Sequence, residues 1–232
     1  MERVLESELL DELASSDPEA LRSRRDLQRL NFWMNHAAMA VRALRSAVPG
    51  SASCVVELGA GDGTFLLRVA QRMESWRKVR AILVDRQPSV SGETIKGFAQ
   101  IGWEAVTVRA DVFEWLANSE NEAVDAIFAN LFLHHFSEEQ LRNLFSRAAV
   151  CARGLVALEP RRARLPLLMT HLLWFIGCSR VTRHDAPVSV RAGFRNGEIS
   201  QHWPKDGRWR LREEKVGLFS HLFMAVRQHG GA

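Results

Sequence analysis

The residues best suited to chemistry lie in one short stretch, Val55-Val56-Glu57-Leu58-Gly59-Ala60-Gly61-Asp62-Gly63-Thr64. Glycine at every second position lets the backbone turn sharply and lets a ligand approach with no Cβ between. Glu57 puts a carboxylate at the mouth of that turn. Further polar groups follow, each closing a short apolar run: Asp85, Asp111, Asn130 and Glu159. A carboxylate such as Asp85 can accept hydrogen bonds from two adjacent hydroxyls. Just after Asn130 comes His134-His135. An imidazole with an unperturbed pKa near ~6.5 can take a proton from a hydroxyl acceptor. The other histidines (His36, His171, His184, His202, His221, His229) show no ligand spacing such as HExxH, so no metal is expected. Cys54, Cys151 and Cys178 are too few and too scattered for a cysteine zinc site, and reduced thiols are expected.

The elements that must position these groups can be read from periodicity. Cys54-Val55-Val56, Ala81 to Val84, Val106 to Ala110, Ala123 to Ala129 and Gly154 to Leu158 are strand candidates. Helices are expected between them, over Thr64 to Met73, Ser91 to Gln100 and Glu138 to Val150. The last begins at Ser137-Glu138-Glu139-Gln140, a capping-box pattern in which Ser and Gln satisfy each other's backbone donors. Short apolar strands alternating with helices predict an α/β fold with a doubly wound, mostly parallel sheet. Ligands then sit at the carboxyl ends of the strands, where the five polar residues cluster. Trp209 to Val216 and Phe219 to Val226, joined near Gly217, predict an antiparallel C-terminal hairpin. The first fifty residues read as a helical N-terminal cap, with Asp17-Pro18 as a helix start. Leu165 to Ile176 is an apolar helix candidate, and Ser179 to Gly207 reads as loop. The expected division is a cap over 1–50 and a main domain over 51–232 with an insertion around 161–207.

The spacing E-x-G-x-G-x-G departs from the dinucleotide fingerprint, which would need glycine where Thr64 stands. It resembles motif I of the class I S-adenosylmethionine (SAM) dependent methyltransferases. The resemblance covers roughly Ser51 to Arg227, and the strand-four sequence NLFLHHF is similar to the small-molecule, ubiquinone and menaquinone type. A fainter likeness to polyketide-associated methyltransferases rests on LNFWMNH, LEPRR and AGFRNGEISQHWP. The family resemblance implies a seven-stranded sheet, SAM as cofactor and a set of cofactor-lining residues. These are Glu57, Gly59, Ala60, Gly61, Gly63, Asp85, Arg86, Asp111, Val112, Asn130 and Leu131. Glu57 would help hold the amino-acid portion, Asp85 the ribose, and Asp111 with Val112 the adenine. Asn130 and Leu131 would lie beside the methyl-bearing sulfur, and His134 or His135 would be a candidate base.

Composition narrows the partners. The chain has 232 residues, 47% hydrophobic and 25% charged, and a net charge of +4 from 31 basic and 27 acidic side chains. That excess is too small and dispersed to argue for nucleic acid. The [DN]PPY pattern of exocyclic-base methyltransferases is missing after strand four, and so is the paired-glutamate loop of the protein arginine type. A small hydrophobic or aromatic acceptor is expected, methylated at oxygen more readily than at carbon. An RNA or protein methyltransferase and a non-catalytic SAM-binding partner are the alternatives. The acidic N-terminus has no apolar h-region, and no stretch reaches ~20 apolar residues, so a cytoplasmic protein without stable membrane insertion is expected. The oligomeric state is left open.

Overall fold

In the computed structural model, residues 1–14, 16–118 and 123–228 are described. Seven strands form one sheet: β1 (Cys54–Leu58), β2 (Arg80–Asp85), β3 (Glu104–Arg109), β4 (Ala126–Asn130), β5 (Gly154–Pro160), β6 (Trp209–Val216) and β7 (Ser220–Arg227). Their order is β3-β2-β1-β4-β5-β7-β6. The first five pair in parallel, and β7 runs antiparallel to both neighbours. Gly217, at φ 61°, makes the turn between β6 and β7. The doubly wound sheet and its C-terminal hairpin are as the sequence predicts.

The strand order reverses between β1 and β4, which lie parallel, so their carboxyl ends form the switch point. Register there places Glu57 between Leu83 and Phe128, and Leu58 beside Ala129. Successive side chains along β1 face opposite sides, which separates two apolar cores. One side holds Val55, Leu83 and Phe128 under α3 (His36–Ala47), α4 (Thr64–Ala70) and α5 (Gly92–Gln100). The other holds Val56, Ile82 and Ile127 under α6 (Val112–Asn118) and α7 (Glu138–Cys151). The capping box at Ser137 and Gln140 is present.

Before the sheet come α1 (Leu9–Glu12) and α2 (Pro18–Trp33), the latter started by Asp17, whose side chain accepts from Glu19 N–H. After β5 come α8 (Arg164–Thr170), a 3-10 turn over His171–Trp174 and α9 (Arg180–Ala192). Two expectations are corrected here. The segment 179–207 is not all loop, because α9 starts at Ser179, whose hydroxyl accepts from Thr182 N–H, and buries Val181, Thr182, Val188 and Ala192. Pro187 inside it broke the apparent pattern, since proline removes a helix donor. The apolar segment 165–176 is not one continuous α-helix. It breaks at Thr170, and Leu168, Trp174 and Phe175 are 65%, 64% and 75% exposed. Among the described residues no helix is long and apolar enough to cross a membrane.

Candidate functional site

The glycine turn leaves β1 at the switch point and enters α4. Gly59, Gly61 and Gly63 all have positive φ, at 69°, 55° and 70°. At Gly59 space is also decisive: a Cβ there would lie 2.2 Å from the Phe132 ring. Val84 O accepts from both Gly59 N–H and Ala60 N–H, at 2.9 and 3.1 Å. The Asp85 carboxylate, at the end of β2, accepts from Gly61 N–H (2.8 Å) and Gln87 N–H (2.7 Å). Each oxygen therefore keeps a lone pair for another donor. Arg86 follows, and its carbonyl accepts from the Arg109 guanidinium at 3.3 Å. Asp111 caps α6 through Phe113 N–H at 2.8 Å, and Val112 is buried as the first residue of that helix.

Glu57 is 3% exposed, and its Oε2 has no hydrogen-bond partner. Burial, with Asp62 and Asp85 nearby, holds its carboxyl well above the usual carboxylate range. A buried acid without a cation is costly to ionise. Asp62 is tied down locally: it accepts from Thr64 N–H at 2.9 Å and from the Gln28 amide of α2 at 2.6 Å.

At the end of β4, Asn130 meets a residue the sequence reading passed over. His36 Nδ1 lies 3.1 Å from Asn130 Oδ1, and its Nε2 lies 2.6 Å from Ser220 Oγ. The amide oxygen can only accept, so Nδ1 carries the proton and Nε2 accepts from the Ser220 hydroxyl. The next residue, Leu131, has φ 53°, a strained value for a branched side chain. Burial lowers the His36 pKa to about 4, with Asn130 and Glu159 opposing. The unfolded chain binds a proton at this site below pH ~6.5, whereas the folded chain does so only near 4. This contribution to stability is therefore present above pH ~6.5 and is lost as pH falls toward 4, about 3 kcal/mol in all. Urea titrations between pH 7 and 4.5 should show a smaller loss in His36→Gln than in the parent, and equal losses would refute the assignment.

The two histidines after β4 have separate settings. His134 is 2% exposed; its Nδ1 lies 2.8 Å from Glu159 Oε2 and its Nε2 3.3 Å from Glu8 Oε1. Both ring nitrogens are thus engaged. Burial would lower its pKa, but the two carboxylates outweigh it and raise it to about 9. Glu8 is held at about 2: burial opposes, and His134, His135 and Ser189 prevail. Glu159 is fully buried and also accepts from the backbone N–H groups of Phe132, Leu133 and His134. His135 is more open, with Nδ1 3.3 Å from Asp11 Oδ2; burial and the neighbouring His134 charge lower its pKa.

These contacts hold an N-terminal strap across the strand ends. Arg3 donates to the carbonyls of Ala192, His134 and Phe136. Asp185 of α9 accepts from Leu9 N–H and Leu10 N–H at 2.9 and 3.0 Å. Asp26 of α2 accepts from Ser179 N–H (2.7 Å) and the Thr182 hydroxyl (3.0 Å). Strap, α2 and α9 therefore form one hydrogen-bonded layer. None of these long-range partners has a local sequence signature, so the sequence reading missed Glu8, Asp26, His36 and Asp185 as parts of the site.

A family model described as a methyltransferase domain matches residues 55–153. An uncharacterized methyltransferase of Mycobacterium bovis is 28% identical over 158 residues, 62% of this chain and 73% of its own. An O-methyltransferase family protein from Burkholderia thailandensis has a similar fold, with TM-score 0.62, 16% identity and 94% of this chain covered; the chain spans 62% of that protein. The plantazolicin methyltransferase BpumL, solved with S-adenosylhomocysteine, gives TM-score 0.63 at 11% identity, covering 92% of each chain. The chain carries a SAM-dependent methyltransferase domain over residues 55–153. In this methyltransferase, the unpartnered Glu57 oxygen and the positive-φ glycines suit a cofactor that carries an ammonium and approaches the backbone closely. A cavity of about 600 Å³ opens elsewhere, at the hairpin edge, lined by Arg161, Arg195, Ser200, Lys215 and His221. None of its lining residues belongs to this cradle.

Proposed function

We propose that this methyltransferase modifies a small, largely apolar acceptor, at oxygen more readily than at carbon. The observation that carries the reading is the exposed apolar surface of Leu165, Leu168, Leu172, Trp174 and Phe175, immediately after β5. The Trp174 and Phe175 rings pack edge to face, 5.2 Å between centroids. Exposed apolar surface of this kind marks an interaction or ligand surface more often than an accident of folding. Residues 1–50 and 161–207 together form the acceptor-side cover, joined through the Asp26, Asp185 and Glu8 contacts.

For the cofactor, Glu57 receives the ammonium of SAM, Asp85 the ribose hydroxyls, and Asp111 with Val112 the adenine edge. Gly59, Ala60, Gly61 and Gly63 provide the close-approach backbone, with Arg86, Asn130 and Leu131 on the rim. Bound SAM supplies an electrophilic methyl on a sulfonium leaving group. The protein's part is then alignment and exclusion of water. His36 fixes the Asn130 amide through its Oδ1. His134 holds the strap, since both its nitrogens are engaged.

The test is methyl transfer from isotopically labelled SAM into cell extract split into organic-soluble, nucleic-acid and protein fractions. Label in the organic fraction is expected, and mass spectrometry of the product names the acceptor. Nuclease- or protease-sensitive label would replace the small-molecule reading with the RNA or protein one.

A further inference from the structure

The carboxylates and imidazoles that meet beneath the strap exceed what methyl transfer requires. Glu8, His134 and His135 each offer one ligand atom, and the three atoms lie within 4.8 Å of one another. The two imidazole rings lie 4.2 Å apart between centroids, tilted by 34°, and Asp11 Oδ2 sits 3.3 Å from His135 Nδ1. We propose that Glu8, His134 and His135, with Asp11 at the rim, bind a divalent transition-metal ion that clasps the N-terminal strap to the loop after β4.

The surroundings of the ligands favour this over a simple ion pair. A ligating histidine commonly donates its second N–H to a carboxylate, which fixes ring and tautomer. His134 does so: Nδ1 faces Glu159 at 2.8 Å, while Nε2 faces Glu8. Glu159 is itself held by three backbone N–H groups, and Glu8 accepts from the Ser189 hydroxyl. The aim of each ligand is thus set by an outer partner. Charge points the same way, since Glu8, Asp11 and Glu159 converge on two imidazoles. Metal binding would displace the proton between His134 Nε2 and Glu8 to solvent. Two imidazoles with carboxylate suit zinc, cobalt or manganese better than magnesium, which prefers all-oxygen sets and water.

The clasp would also reach the cofactor cradle. Phe132 packs on Gly59 on one side and lies 6.4 Å from the His135 ring centroid on the other. The ligands come from segments 126 residues apart, which is why local ligand spacing gives no sign of them.

The proposal stands apart from the acceptor assignment and is tested without activity. The full chain, stripped with chelator, is titrated with Zn²⁺ by calorimetry and with Co²⁺ by visible absorption. One equivalent of each is expected, with d–d bands for cobalt bound to nitrogen and oxygen, and no saturable Mg²⁺ binding. His135→Ala, on the more open side of the cluster, should weaken Zn²⁺ by at least about tenfold. Asp11→Asn, at the exposed rim, keeps the test open if the first variant misfolds. Absence of saturable Zn²⁺ and Co²⁺ binding would overturn the proposal. So would equal affinity in the parent and both folded variants, which would place the ion on surface histidines such as His184.

Discussion

Asp85→Ala should weaken SAM binding by one to two orders of magnitude while the chain remains folded. Hydrogen bonds to a charged acceptor contribute about 1.5–3 kcal/mol, and a factor of ten corresponds to about 1.4 kcal/mol. In the structure this carboxylate has a second duty: it braces the glycine turn through Gly61 N–H and the following loop through Gln87 N–H. Loss of the side chain therefore removes the proposed ribose acceptor and loosens the backbone beside it. Asp85→Asn separates the two effects, because its amide oxygen can keep one brace but cannot accept from two hydroxyls and two amides together. Its affinity should fall between parent and alanine variant. Calorimetry on folded protein decides the matter, and an unchanged dissociation constant in Asp85→Ala would remove Asp85 from the site.

The parts of this site that could be read from sequence are those generated by local rules. A strand that ends in a polar residue shows itself within five or six positions, so Glu57, Asp85, Asn130 and Glu159 are found at the strand ends as expected. The glycine turn and the capping box at Ser137 are equally local. What lay hidden depends on contacts made only after folding. His36 acts through Asn130 and Ser220, 94 and 184 residues away. The strap is held by Asp185 and His134, and nothing near Glu8 or Leu9 announces them. Helix α9 was obscured by a local rule that tertiary packing overrode: Pro187 costs one helix bond, and the burial of Val181, Val188 and Ala192 compensates. The apolar segment 165–176 is compatible in sequence with either a core helix or a ligand-facing one, and the structure leaves Leu165, Leu168, Leu172, Trp174 and Phe175 exposed while burying Leu173.

Glu57→Gln is expected to be more stable than the parent and a poorer SAM binder. Glu57 is buried with one unpartnered oxygen and two acidic neighbours, and its carboxyl titrates well above the ordinary range. In the unfolded chain the same group ionises near its reference value of about 4.3. Above that pH the folded state holds a proton that the unfolded state has released, so parent stability falls as pH rises toward the folded pKa. Glutamine keeps the shape and removes the charge, so the variant should not share this decline. At pH 8 its melting temperature should exceed the parent's by several degrees, since about 1 kcal/mol shifts a chain of this size by roughly 2–4 °C. At pH 4.5, close to the value at which the unfolded carboxyl ionises, the gap should narrow to a small fraction of its size at pH 8. Affinity should move the other way: without the carboxylate, the cofactor ammonium meets an uncharged amide and binding weakens about tenfold or more. Melting curves at the two pH values and one calorimetric titration suffice. A variant that is less stable at pH 8, or that binds SAM as tightly as the parent, would show that Glu57 is a structural acid and not the cofactor's counter-charge.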